Sequence, residues 1–356
     1  MTSRAGRGAL VVAGAVAKGA FEAGVTSVLI EEGIDFDRFV GTSAGALNAS
    51  LLAAGAAVGR LPAAARRLET LWKERGGLGT FLRLRVNLGL GLSSIDGVVE
   101  LLETEIAAIV AGTKELRATS LTLVTTNLAG VIDPKTSLLT HEDEEVFAAK
   151  DFVDPERRRE LARVAATSAA FPGLFIPPRM GADRTQHVDG GVVNNAPIAY
   201  AIDRDTNANA IVVVSAEPNV PDERGTLRFF PIPTLPSRLV ETMINERLSR
   251  DLAVAASAND RRAKLITRLA VLAPEVDAEA LADEIDLRRL EIVPIRPEAP
   301  LGSAFAGFFS PARRARDIAA GRAAAERRLP AVRAAFAEAE AHRSSRPFPV
   351  AAPLLA

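Results

Sequence analysis

Residues 36–52, FDRFVGTSAGALNASLL, read as a short apolar strand, a tight turn with glycine at each end, and a helix of small residues. Ser43 sits at the centre of that turn, in the pattern G-x-S-x-G. A side chain presented at the tip of a sharp strand-to-helix turn needs small neighbours, because the two arms nearly touch. Gly41, Ala44 and Gly45 leave that room. The helix beginning just beyond Ser43 aims free backbone N–H groups and a partial positive charge at the hydroxyl, which favours an oxyanion there. In a chain this rich in alanine and glycine the pentapeptide alone is a weak signal, and its meaning depends on two other segments.

Upstream, residues 8–13 (GALVVA) form the continuous apolar run of a parallel strand buried on both faces. The run feeds Gly14, Ala15, Val16, Ala17, Lys18 and Gly19, then a helix with Phe21, Val25, Val28 and Leu29 on one face and Gly33 at its C-terminal stop. A Gly-rich loop between strand and helix often cradles phosphate, but two details oppose that here. Lys18 precedes its glycine and Ala20 follows, so the P-loop order is absent. Val16 occupies the second marked glycine of the dinucleotide pattern. Backbone donors at a helix start serve an oxyanion equally well.

Downstream, residues 61–75 read as an amphipathic helix with Leu68, Leu71 and Trp72 on its apolar side. Residues 76–94 alternate as a strand or hairpin, residues 96–110 are helical, and residues 120–126 form a strand. Residues 162–178 read as a helix broken at Phe171, Pro172 and Gly173. The segment HVDGGVVNNAPI (187–198) then places Asp189 after a short strand, where Gly190 and Gly191 free the backbone to turn and leave the carboxylate uncovered. Pro197 suits the first turn of a following helix. Residues 210–215 and 291–295 are strands, residues 235–269 and 313–343 are helical, and residues 347–356 are a loose tail. Strands alternating with helices predict a three-layer α/β/α domain with a C-terminal helical extension.

Composition narrows the function. Across 356 residues, 48% are hydrophobic and 24% charged, as in a globular protein. A formal net charge of −1 gives no overall electrostatic case for nucleic acid. There is no cysteine, and the 3 histidines, His141, His187 and His342, are not spaced as a ligand pair, so no metal is expected. Arg4 and Arg7 before the apolar run 9–17 mimic a signal peptide, and residues 39–59 are uncharged enough to invite a membrane span. Lys18 and Gly19 fit a functional loop better, and the glycines, Thr42, Asn48 and Ser50 fit a buried helix. A cytoplasmic protein without signal peptide or transmembrane segment is expected.

Three segments together resemble the patatin-like phospholipases. They are the loop from Gly14 to Gly19 with Phe21 and Gly24 beyond it, the Gly41 to Gly45 elbow, and Asp189, Gly190 and Gly191 with Asn194, Asn195, Ala196 and Pro197 after them. Ala169, Ala170, Phe171, Pro172 and Gly173 also resemble the stretch the family carries ahead of Asp-Gly-Gly. The resemblance covers residues 8–214 and implies a mainly parallel central sheet, with a hydrolase domain over residues 1–300 and a helical extension over 301–356. It departs in one place: the family's three consecutive glycines are Gly14, Ala15 and Val16 here. Backbone N–H groups survive that change, while the bulk of Val16 bears on efficiency.

The resemblance implies a serine lipid acyl hydrolase, of phospholipase A or lysophospholipase type, that needs no cofactor. Ser43 would attack an ester carbonyl, Asp189 would take its proton, and the amides of Gly14, Ala15 and Val16 would hold the oxyanion. Lys18, Gly19, Gly41, Gly45, Gly190 and Gly191 would shape the site. A rival triad would use His187, two residues before Asp189 and on the same side of a strand. His342 reads as a surface residue, Lys18 as a solvated or helix-packing charge, and Asn194 and Asn195 as turn-formers. The partner is a phospholipid or other acyl-ester lipid, with peripheral membrane contact through residues 81–92, 229–232, or 305–309 followed by Arg313, Arg314 and Arg316. A lipid acyltransferase with the same dyad, or a non-enzymatic lipid-binding protein with a degenerate loop, are the alternative readings.

Overall fold

The computed structural model describes residues 8–81, 83–87, 91–133, 136–203, 206, 208–218, 234–285, 287–302 and 305–345. The strands among them are β1 Gly8–Val12, β2 Phe36–Thr42, β3 Arg83–Asn87, β4 Gly91–Ser94, β5 Ser120–Ile132, β6 Leu139–Ala148, β7 Arg179–Met180, β8 Thr185–Val188, β9 Ala208–Val214 and β10 Arg289–Ile295. One sheet has the order β10-β9-β1-β2-β5-β8-β7, with β6 also paired to β5. Strands β10, β9, β1, β2 and β5 run parallel, and β6, β7 and β8 add antiparallel pairs at one side. Strands β3 and β4 pair separately and antiparallel.

Side-chain alternation in the central strands explains the three layers. On β1, Leu10 and Val12 enter one apolar cluster while Ala9 and Val11 enter another, and all four are 0% exposed. On β9, Val212 and Val214 join the first cluster, and Ile211 and Val213 the second. A sheet apolar on both faces must be covered on both. The helices Gly19–Glu31, Ala44–Ala57, Leu61–Arg75, Asp96–Val110, Pro155–Ser168 and Pro311–Ser345 all contribute to the first cluster, and Thr234–Leu272 contributes Leu248 to the second. The expected α/β/α architecture with a mainly parallel sheet is what the chain adopts. No helix among the described residues is long and apolar enough to cross a membrane.

Register decides where chemistry can sit. Val12 lies opposite Gly41 and Val214, Thr42 opposite Val124, and Thr126 opposite Val188. The loops after β1, β2 and β8 therefore emerge at one edge, the crevice beyond the carboxyl ends of parallel strands where such folds bind ligands.

Several elements differ from the sequence expectation. Strand β5 runs on to Ile132 and pairs with β6, whose acidic LTHEDEEVFA sequence hid it. The helix expected from residue 162 starts at Pro155, capped by the Asp154 side chain, and stops at Ser168. Pro197 precedes a 3-10 turn, Ile198–Ala201, and not an α-helix. The apolar segment 229–232 and the tail 347–356 lie outside the described residues.

The helix Pro311–Ser345 is packed into the core, with Ile318, Ala324 and Val332 in the main cluster. It crosses the Gly19–Glu31 helix at backbone contact: a Cβ on Gly321 would lie 2.0 Å from the Phe21 carbonyl oxygen, and one on Gly24 2.2 Å from that of Ile318. Neither backbone can yield without separating the helices. Gly321→Val is expected to destabilise the protein by about 1–3 kcal/mol, read as a lowered midpoint in urea unfolding with an unchanged slope.

Candidate active site

Strand β2 delivers Ser43 to the edge in a strained conformation, φ 56° and ψ −132°, directly before the helix Ala44–Ala57. A non-glycine residue there costs on the order of 1–3 kcal/mol and persists only where its surroundings hold it. The surroundings are close-packed. A Cβ on Gly45 would lie 2.2 Å from the Val12 carbonyl oxygen, so only glycine lets the helix start against β1. The Ser43 N–H donates to Ser168 Oγ at 2.9 Å, and Ser168 Oγ in turn donates to the Val124 carbonyl at 2.6 Å.

Asp189 reaches the same point from β8. Ser43 Oγ donates to Asp189 Oδ2 at 2.6 Å, and the Gly191 N–H donates to Oδ1 at 2.8 Å. The acid's own backbone is fixed too: its N–H donates to the Ala170 carbonyl at 3.0 Å, and its carbonyl accepts from Thr126 Oγ1 at 2.8 Å. The end of the Pro155–Ser168 helix and the residues just past it thus brace both members of the pair, Ser168 holding the serine turn and Ala170 the acid. Ser43 and Asp189 are each 4% exposed. Burial pushes the Asp189 carboxyl up to about 7, against the lowering effect of the bonds from Ser43 and Gly191.

The loop after β1 lies against this pair, since a Cβ on Gly14 would come within 2.9 Å of Ser43 Cβ. Its three amides are not equivalent. The Gly14 N–H donates to the Asn195 carbonyl at 3.1 Å, and Asn195 Nδ2 donates back to the Gly14 carbonyl at 3.3 Å. The amides of Ala15 and Val16 donate to none of the described residues. Asn195, fully buried, is more than the turn-former expected, because it ties the β1 loop to the Asp189 loop. Gly190 packs against the Val124 carbonyl at 2.1 Å from a built Cβ, and Gly41 against the helix backbone at Ala46.

Lys18 is neither solvated nor open to a ligand: it is buried and donates to Glu217 Oε1 at 2.5 Å. Gly19 abuts the Trp72 ring. His187 is buried, but its Nδ1 meets Thr125 Oγ1 at 3.0 Å and its Nε2 meets Thr185 Oγ1 at 3.1 Å, and neither nitrogen bonds Ser43 or Asp189. Burial also holds its pKa below the ordinary value. His342 is not a surface residue: its ring lies 4.0 Å from Asp283 and 3.5 Å from the Arg262 guanidinium, its side chain 9% exposed. Asn194 donates to Glu142 at 2.9 Å, away from the pair.

The pocket over the pair is lined by Ser43, Asp189, Leu47, Trp72, Phe171 and Phe308, among others, and encloses about 30 Å³. Phe308 belongs to the segment before the last helix. Neighbouring Phe305 meets Phe171 edge to face at 5.4 Å, and Arg314 donates to the carbonyls of Gly307 and Trp72, each at 2.8 Å. Of the expected membrane-facing cluster, Arg314 is thus buried and Arg313 is paired to Asp317 at 3.0 Å, while Phe309 is 72% exposed. Residues 82 and 88–90 of the other expected segment lie outside the described residues, and Leu92 is 49% exposed.

The family model for patatin-like phospholipases matches residues 10–202. The chain belongs to that family. It is accordingly a lipid-acyl hydrolase of the carboxylic-ester class, acting on lipid substrates. Among solved structures it is similar to VipD from Legionella pneumophila, at 14% identity over 94% of this chain and 67% of that one, with a TM-score of 0.41. It is also similar to a chain of the ExoU–SpcU complex of the Pseudomonas aeruginosa type III secretion system, at 19% identity over 98% of this chain and 79% of that one, with a TM-score of 0.33. No curated protein sequence matches it.

The raised Asp189 pKa carries two consequences. A carboxyl that must be ionised to accept the serine proton should give a kcat/KM that falls about tenfold per pH unit below about 7. Because the folded-state pKa lies above the unfolded one, Asp189 binds more protons in the folded protein. Its cost to stability is absent below about pH 4, grows as pH rises, and levels off above about pH 7. Asp189→Asn should therefore be more stable than wild type above pH 7, by up to roughly 4 kcal/mol, with the advantage vanishing near pH 4 in urea unfolding.

Proposed function

We propose that this patatin-like phospholipase family member cleaves phospholipid or lysophospholipid acyl esters with a Ser43–Asp189 dyad. Ser43 Oγ attacks the ester carbonyl carbon while its proton passes to Asp189 Oδ2. The developing oxyanion is held by the amides of Ala15 and Val16, which have no other acceptor among the described residues. Gly14, whose amide is already committed to Asn195, fixes the loop in place. The C–O bond then breaks as Asp189 returns the proton to the leaving alcohol. Water, deprotonated by the same carboxylate, hydrolyses the acyl-enzyme and restores Ser43. No metal enters any step.

The observation that carries this reading is the 2.6 Å hydrogen bond from Ser43 Oγ to a buried carboxylate, made at a strained turn that Ser168 braces. A hydroxyl serving only structure would not require the strain. The oxyanion site matters as much as the base, since losing one such donor in a hydrolase costs about 3–4 kcal/mol. Exposed Leu92, and exposed Phe309 next in sequence to the pocket-lining Phe308, support peripheral contact of a cytoplasmic protein with a lipid surface.

The test is hydrolysis of a phospholipid panel and of soluble short-chain esters by wild type, Ser43→Ala and Asp189→Asn. Wild type should release free fatty acid and take a fluorophosphonate label on Ser43. Both variants should lose kcat by about 10⁴-fold or more, and Asp189→Asn should unfold at a midpoint no lower than wild type at pH 8. Hydrolysis that survives Ser43→Ala would refute the dyad.

A further inference from the structure

The sheet edge that bears the dyad also carries an apolar projection that the chemistry leaves unused. Strand β5 runs parallel to β2, with Val124 opposite Thr42, and its last pair with β8 is Asn127 opposite His187. Residues 128–132 continue past that point, and among the described residues their strand partner is β6, with Val131 opposite Thr140 and Ile132 opposite Leu139. Five extended residues reach roughly 15 Å, so the β5–β6 hairpin stands out from the edge of Ser43 and Asp189. Its end is a formed turn: the Ser137 N–H donates to the Asp133 carbonyl at 2.8 Å, and the Asp133 N–H to the Leu138 carbonyl at 2.9 Å.

The projection is apolar where a solvated hairpin should be polar. Leu128, Val131, Ile132, Leu138 and Leu139 are all exposed, Ile132 by 64%, Leu138 by 67% and Leu139 by 63%. Ile132 and Leu139 are a cross-strand pair, so both point to the same side, open to solvent. Apolar groups gathered in this way mark a surface that is covered in use. A protein partner fits it poorly. The register breaks between Thr126 and Val131, with Gly130 at φ 77°, and such a bulge, together with the acidic residues of β6, opposes strand addition by another chain. Five side chains on a two-stranded tip also offer less than the roughly 800 Å² that each partner buries in a stable protein interface. A lipid surface needs neither a matching strand nor that area.

We propose that this hairpin docks the protein on a lipid surface whose outermost charge is positive, as in a phosphocholine layer. The proposal rests on the lipid-hydrolase reading and adds which surface meets the lipid and which head groups it favours. Asp133 lies in the tip, and Glu142, Asp143, Glu144 and Glu145 lie on the strand behind it. Against these carboxylates stand Lys135 in the same segment and Arg157, which lies 3.6 Å from Glu145. The excess negative charge attracts the outward ammonium of choline and repels an anionic layer. Asp133 holds the tip at head-group depth, because a carboxylate resists entry into hydrocarbon. The base of the hairpin is tied to the site: Thr126 Oγ1 donates to the Asp189 carbonyl at 2.8 Å, and Asn194 Nδ2 to Glu142 Oε1 at 2.9 Å. A seated tip therefore sets the height of the Asp189 loop over the lipid.

The chain has no cysteine, so Leu138→Cys takes an environment-sensitive nitrobenzoxadiazole label at one place. In Ser43→Ala protein, phosphatidylcholine vesicles should shift that emission to the blue. The same label on Leu116→Cys, which precedes the opposite end of β5, should not respond. Ile132→Ser combined with Leu139→Ser should weaken partition onto those vesicles about tenfold. With Ser43 restored, the double change should lower turnover of vesicle lipid about tenfold and leave turnover of a soluble short-chain ester unchanged. Both positions are exposed, so the urea midpoint should not move. Replacing a third of the lipid with phosphatidylserine should weaken partition of the parent protein. A silent Leu138→Cys label, partition unaltered by the double change, or tighter partition onto phosphatidylserine overturns the docking hairpin. So does a parent dimer that the double change converts to monomer, which would make the tip a contact between copies of this chain. Because docking is measured on the inactive Ser43→Ala protein, its failure is read separately from that of the chemistry. If wild type still takes the fluorophosphonate label and turns over esters, the hydrolase reading stands.

Discussion

A carboxylate kept out of water beside a hydroxyl is the constraint on which the rest of this structure depends. An exposed aspartate is too weak a base to draw a proton from an alcohol. Burial changes that: with only Ser43 and the Gly191 amide to favour its charge, Asp189 rises to about 7. That lies close to the value of a free imidazole. At that value the carboxylate has about the base strength of a free imidazole, while His187, held between Thr125 and Thr185, bonds neither member of the pair. Further burial would strengthen the base and also reduce its ionised fraction, so a value near neutrality is where the two effects balance.

Such a pair costs stability, and the scaffold offsets the cost with short, converging tethers. Ser43 is held by Ser168, Asp189 by Ala170, Thr126 and Gly191, and the β1 loop by Asn195. All but the local Gly191 bond join separate segments of the chain, so Ser43 and Asp189 meet only when β1, β2, β5 and β8 are in register. Small residues make this possible. Gly45 against Val12 and Gly24 against Ile318 bring backbones to distances that any side chain would prevent. The abundance of alanine and glycine thus has a packing role at these contacts, whatever else shaped the composition.

Much of this was legible in the sequence, for identifiable reasons. The continuous apolar runs of β1 and β9 mark a sheet covered on both faces, and G-x-S-x-G with Asp-Gly-Gly marks the edge where chemistry would sit. The rest was hidden where the sequence signal is local but the role is not. Ser168 is one hydroxyl on a helix, and nothing in its neighbours says that its partners are Ser43 and Val124. Asn195 reads as a turn residue because Asn-Asn-Ala-Pro has turn chemistry; its bond to Gly14 spans 181 positions. Lys18 and His342 looked exposed because charge and periphery usually go together, whereas each found a buried acid. Strand β6 escaped because an edge strand with one wet face can be mostly acidic.

The family match ends at residue 202, and the pocket does not. Its roof includes Phe308, carried on a turn that Arg314 fastens to the end of the Leu61–Arg75 helix. At about 30 Å³ the pocket holds roughly two waters. Ser43 and Asp189 sit on the sheet edge, fixed by several bonds each. Phe308 contributes its ring to the pocket wall, 6.3 Å from the ring of Phe305. The family-matched part of the chain therefore carries Ser43, Asp189 and the loop from Gly14, while Phe308 of the pocket lies beyond it. The pocket is thus built from both sides of the family match, and a substitution at Phe308 changes its wall without touching the bond between Ser43 and Asp189.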